Sequence, residues 1–188
     1  MARQKTAAGE RREKLVKEFW RDEDAWTGEN EKGWFFAPRT LPLVLGLLGS
    51  KEISGNQDPT RVYLELVARH IDGGLVEMGP YADHAYAAGY DGPRGIRSWQ
   101  ERMKLLERLG FIKAKRIGNH LFKYVLLVHP TAAIQQLRDA KRVSDHWWAT
   151  YRARQIETKE TLYEDRALPK KVAHIGGPKR NVRNRKTS

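Results

Sequence analysis

Residues 95–128 read GIRSWQERMKLLERLGFIKAKRIGNHLFKYVLLV, and this stretch decides the fold class. In its first half Ile96, Trp99, Met103 and Leu106 recur at helical spacing, which predicts an amphipathic helix over about 95–109 with these four on its buried face. Gly110 supplies the stop, because glycine alone adopts the left-handed conformation of a helix end without steric cost. After Gly110 the pattern changes from helical to alternating. Phe111 to Arg116 reads as one strand, Ile117-Gly118-Asn119-His120 as a tight turn, and Leu121 to Val128 as the returning strand.

Upstream, Leu41 to Leu48 is an apolar run between Pro38 and Gly49-Ser50, and reads as a short core helix. Ser54 to Asp58 reads as a polar loop. Asp58-Pro59 then starts a helix, with Asp58 as N-cap and Pro59 at the first helical position. Val62, Tyr63, Leu66 and Val67 keep helical spacing up to Ile71, and Gly73-Gly74 ends the run. Leu75 to Met78 is a short strand-like run. Tyr81 to Ala88 reads as a short alanine-rich helix, followed by a turn over Gly89 to Pro93.

Downstream, Pro130 ends the hairpin and two helices are expected, over about 131–141 and 145–164. The second carries Trp147, Trp148 and Tyr151. These aromatics either pair across a two-fold axis in a homodimer or pack back on their own domain. The N-terminal 32 residues form a charged extension, with an amphipathic helix expected over roughly 9–24 and docked through Phe19 and Trp20. The folded body starts near Trp34-Phe35-Phe36. The expected division is therefore 1–32 extension, 33–130 central domain, 131–165 C-terminal helices and 166–188 a basic disordered tail. The fold class is mainly α with a small β-hairpin.

The net charge is +12, and it is concentrated. Residues 94–124 hold nine Lys and Arg against two Glu; residues 166–188 hold eight Lys and Arg and no acid. The remaining segments sum to a small negative charge. Two concentrated basic segments point to a polyanionic partner.

The order helix, short strand, short helix, turn, longer helix, two-stranded hairpin over 59–128 resembles the winged-helix (winged helix-turn-helix) DNA-binding domain. The phrase Met103-Lys-Leu-Leu-Glu-Arg-Leu-Gly-Phe-Ile-Lys113 is similar to the end of a recognition helix running into a wing. The turn Gly89 to Gly95 departs from that pattern, being longer and richer in glycine than a tight helix-turn-helix turn. The resemblance implies a recognition helix at 95–109, a wing at 111–128 and double-stranded DNA as partner.

Elementary chemistry points to the same residues. A helix bound for the major groove needs an apolar back and a polar, basic front. With Trp99 at the middle of the buried face, the opposite side presents Arg97, Gln100, Glu101, Lys104 and Arg108, with Arg94 just ahead of it. Arg97, Ser98 and Gln100 lie in the first turns, which reach base edges; Lys104 and Arg108 suit phosphates. Glu101 either accepts from cytosine or orients an arginine. The hairpin adds Lys113, Lys115, Arg116, Asn119, His120 and Lys123 as a phosphate grip or a minor-groove probe.

Other classes have little to stand on. There is no cysteine, so no disulfide framework and no thiolate metal site. None of His70, His84, His120, His129, His146 and His174 falls in a metal-ligand spacing, and Asp83-His84 are only sequence neighbours. Gly46-Leu-Leu-Gly-Ser-Lys51 lacks the spacing of a phosphate-binding loop. No cofactor, metal or enzymatic activity is expected. No apolar run is long enough to span a bilayer and the charged start resembles no secretory signal, so a cytoplasmic, nucleoid-associated protein is expected.

Three functional readings follow. One is a sequence-specific transcriptional regulator, with repression as its expected mode. The second is a replication or partition factor of a plasmid or other mobile element. The third is a winged-helix protein-interaction module with an acidic partner. The acidic run at 22–31 is a candidate to fold over the basic face in the same chain.

Overall fold

The computed structural model describes residues 7–19, 33, 35, 37–70 and 73–160. The chain divides into two units, Met1–Trp34 and Phe35–Ser188. In the first, α1 spans Ala7–Phe19 with Glu10 in its first turn, where a carboxylate favours the helix dipole. The helix is already formed at Ala7, two residues before its expected start, and its expected end near residue 24 lies outside the described residues. Trp20, the acidic run 22–31, Trp34, Phe36 and the basic tail lie outside the described residues.

The second unit is α-rich with one small antiparallel sheet. It runs α2 Leu41–Gly49, α3 Lys51–Ser54, α4 Thr60–Arg69, β1 Leu75–Glu77, α5 Tyr81–Ala87, α6 Gly95–Arg108, β2 Ile112–Ile117, β3 His120–Leu127, α7 Pro130–Asp139 and α8 Asp145–Glu157. The expected elements are all present, and two features go beyond them. Ahead of the expected polar loop Ser54 to Asp58 lies a single helical turn, α3, which takes in the first residue of that loop and buries Ile53 and Ser54. The Ser54 hydroxyl donates to Leu48 O at 2.5 Å. The sheet has three strands, in the order β1-β3-β2, because β1 pairs with β3 with Val76 opposite Val125.

Capping chemistry sets most boundaries. Asp58 Oδ1 accepts from the Thr60 N–H at 2.9 Å and from its hydroxyl at 2.7 Å, but α4 starts at Thr60 with Pro59 in the N-cap position, so Asp58 ties down the helix start from one residue further out than expected. Ser144 Oγ accepts from the Trp147 N–H at 3.2 Å and caps α8. Four helices end in the same way. After α6, Gly110 N–H donates to Glu107 O and Phe111 N–H to Leu106 O, with Gly110 at φ +82°, the paired bonds of a Schellman stop. The same pair forms at Gly89 after α5, at Lys141 after α7 and at Lys159 after α8. The two lysines occupy left-handed positions that glycine usually fills. Lys159 explains why α8 ends at Glu157 and not near 164: the chain turns there, and the Glu160 carboxylate accepts from both the backbone N–H and the hydroxyl of Thr40 at 2.9 Å. That places a negative charge at the N-terminus of α2, where unpaired N–H groups favour it.

One core holds the unit together. Val44 and Leu48 of α2, Val62 and Leu66 of α4, Trp99, Met103 and Leu106 of α6, Ile112 and Val125 of the sheet, and Ala133 and Ile134 of α7 are all buried in it. Tyr63 meets Phe111 edge-to-face at 5.4 Å, and Trp99 meets Phe122 likewise at 5.8 Å. The aromatics of α8 pack on their own chain. Tyr151 is buried and its hydroxyl bonds Thr131 at 2.8 Å, while Trp147 stacks on its ring at 5.2 Å. Trp148 is half-buried, with Arg138 over its face at 4.8 Å. Among the described residues no helix is long and apolar enough to cross a membrane.

Candidate nucleic-acid interface

The site is built on α6 and the β2–β3 hairpin. The buried arc of α6 comprises Trp99, Met103, Leu105, Leu106 and Leu109. It is rotated from the face the apolar spacing indicates. Leu105 is inside, and Ile96, expected in the core, is 43% exposed. The helix packs on α4, α5 and β2 together, and a helix with neighbours on several sides buries a wider arc than its strongest apolar spacing marks. The exposed arc then holds Arg97, Lys104 and Arg108, with Arg94 just before the helix. Ser98, Gln100 and Glu101 are half-buried beside it.

Glu101 is committed to arginines. Its Oε1 accepts from Arg97 Nε at 3.2 Å, and its Oε2 lies 3.6 Å from an Arg102 terminal nitrogen. Of the two roles expected for Glu101, orienting an arginine is the one this geometry has. The Arg97 side chain remains 82% exposed, so the pair holds it without covering it.

Arg102 is a residue that the sequence reading did not single out. It is 18% exposed, donates to Ser98 O at 3.1 Å and lies over the Tyr90 ring at 5.2 Å. Arg61 of α4 lies over the same ring at 5.1 Å, and the Tyr90 hydroxyl donates to Asp58 O at 3.2 Å. Tyr90 thus pins the long glycine-rich turn ahead of α6. The glycines are needed there. A Cβ at Gly95 would sit 2.5 Å from the backbone Tyr90 O, and Gly89 holds a left-handed φ of +75° that L side chains rarely adopt. The turn that departs from a tight helix-turn-helix is therefore a built element, and it sets the first residue of α6.

The hairpin carries its cations on one face and at the tip. Lys113 pairs with Leu126 and Lys115 with Tyr124, so these four share one face of the sheet. Lys113, Lys115, Arg116, Asn119 and His120 are exposed. The register shifts beyond Lys115: Lys115 faces Tyr124 but Ile117 faces His120, which sets Arg116 alone against Leu121, Phe122 and Lys123. This bulge breaks the alternation of β3 and lets Phe122 join Val125 in the core. Lys123 departs from the expected role of a free cation. Its Nζ bonds Glu77 of β1 at 2.8 Å, which raises its pKa and spends its charge on a neighbouring strand. The Glu107 carboxylate accepts from the Ala114 N–H at 3.2 Å and ties α6 to the hairpin.

Comparison with protein-family models, curated proteins and solved structures found no match to this chain.

A histidine–carboxylate pair also came to light. His84 Nδ1 lies 3.0 Å from Glu65 Oε1, and His84 Nε2 accepts from the Gly79 N–H at 3.2 Å. Arg69 pairs with the same carboxylate. The ring is buried and stacked on Trp99 at 5.9 Å. Both ring nitrogens are engaged, so the pair joins α4, α5 and the loop after β1 and supports Trp99 from beneath. Sequence reading missed it because Glu65 and His84 lie 19 positions apart.

Proposed function

We propose that this chain is a winged-helix protein that binds double-stranded DNA in a sequence-specific manner and regulates transcription. In this reading α6 enters the major groove and the β2–β3 hairpin is the wing. One observation carries it: a helix with a fully buried back presents Arg97, Lys104 and Arg108 outward, and leads directly into a hairpin whose exposed face and tip hold Lys113, Lys115 and Arg116. Solvation alone does not account for this layout. The same chain keeps balanced or acidic charge elsewhere before residue 166, so cations are gathered where a groove and its phosphates would lie. The arginine at the leading turn has the bidentate geometry for guanine, and the later lysine and arginine suit phosphates.

Selection from a random double-stranded DNA library with the full chain at moderate salt tests the reading. Enrichment of a defined motif is the expected result, and an inverted repeat would add that the protein binds as a dimer. If about six phosphates are neutralised, log K falls against log salt with a slope of about −5. Retention without any enriched motif would reduce the function to phosphate-driven binding, and no retention would sink the reading in favour of an acidic protein partner.

A further inference from the structure

Ile96 is the second residue of α6, and its side chain is 43% exposed. Folding gives no reason for isoleucine here. A β-branched residue is a poorer helix former than alanine or a straight-chain residue, and this one contributes little to the core. Its surroundings on the helix are specific. Arg97 follows it, exposed, and Gln100 lies one turn on, at the spacing that sets two side chains side by side on one stripe. The three residues occupy the leading turns of the helix, the part that approaches base edges.

We infer that Ile96 is a specificity-determining residue that contacts the 5-methyl group of thymine, with Gln100 beside it taking an adenine edge. In the major groove an A·T pair offers one apolar group, the thymine methyl, and an adenine donor–acceptor pair that a glutamine amide matches. An exposed branched alkyl group next to a glutamine is complementary to that surface, whereas a G·C pair offers the isoleucine no methyl group. The selected site therefore contains a thymine read through its methyl group, near the base contacted by Arg97. This rests on α6 being the base-reading helix.

The test replaces each thymine of the enriched site, one at a time, with deoxyuridine, which removes the methyl and leaves the hydrogen-bonding edge unchanged. Affinities are measured for the full chain and for Ile96→Ala. At one position in each half-site the wild-type protein loses about fourfold in affinity, the worth of burying one methyl-sized group. Ile96→Ala binds the thymine site about that much more weakly and is indifferent to uracil at that position. Equal losses in both proteins, or no loss at any thymine, would overturn the inference while leaving sequence-specific binding intact. Absence of any enriched site would overturn both, and the two failures are told apart by the selection itself. The wild-type measurement on uracil sites needs no variant to fold.

Discussion

At the residue scale, a few side chains set conformations that nothing else in the chain supplies. Gly95 is one: the space where its Cβ would stand is filled by the backbone oxygen of Tyr90. Gly95→Ala forces that carbonyl aside and is expected to destabilise the fold by about 1–3 kcal/mol, read from urea unfolding. The same change is expected to displace the start of α6, and under the proposed function DNA affinity is expected to fall with it. Lys141 is the opposite case. It holds a left-handed backbone at φ 57° while its side chain is exposed. Lys141→Gly relieves that cost and is expected to stabilise by about 0.5–1 kcal/mol in the same measurement. The glycine stops at 89 and 110 were legible in the sequence because glycine announces a left-handed position. The lysine stops at 141 and 159 were not, because lysine is ordinarily at home inside a helix.

At the element scale, α6 has two faces with separable roles. Arg97→Glu combined with Lys104→Glu reverses two exposed charges and is expected to abolish DNA retention while the circular dichroism spectrum and unfolding midpoint stay close to wild type. Trp99→Ala empties a fully buried site between Tyr81, His84 and Phe122 and is expected to cost about 3–5 kcal/mol. If the charge reversal melted the protein and the tryptophan change did not, the assignment of faces would be wrong. The period of α6 was readable from Trp99, Met103 and Leu106, but the rotation of its buried arc was not. Spacing says that a face exists. Packing against the rest of the unit decides that Leu105 is inside and Ile96 outside. The hairpin followed the same rule: its strands and the Gly118-Asn119 turn were readable, whereas the bulge that turns Phe122 inward answers to the core behind it.

At the scale of the molecule, one long-range tie joins the ends of the Phe35–Ser188 unit's described part, and buried phenols give the unit a pH dependence. Glu160 bonds Thr40 across 120 positions of sequence. Glu160→Ala removes both hydrogen bonds and the charge at the start of α2, and is expected to lower stability by about 1–2 kcal/mol in urea unfolding. Burial pushes the Tyr63 and Tyr151 phenols above their ordinary pKa of 10.0. A pKa raised on folding means that the unfolded chain releases these protons first. The contribution is therefore complete below about pH 10 and is lost as pH rises through the folded-state values. Stability read from urea unfolding between about pH 8 and 12 is expected to be level at first and then to fall, and Tyr63→Phe with Tyr151→Phe flattens that fall.

The kinds of element and their order were written in local pattern: hydrophobic period, glycine stops, the Asp58-Pro59 helix start, and the tight turn at Gly118-Asn119. The gathering of cations on residues 94–124 was legible too, because charge counts need no coordinates. Tertiary structure alone decided which cations are free. Lys123 answers to Glu77, and Glu101 to Arg97 and Arg102, while Lys104, Arg108, Lys113 and Lys115 stay exposed. It also decided that β1 completes the sheet, that two guanidinium groups lie over the Tyr90 ring, and that Ile96 is exposed. The physical reason is common to all of these. Local pattern records what a residue offers to its own helix or strand, and these outcomes depend on partners brought close only when the core of α2, α4, α6, α7 and the sheet has formed.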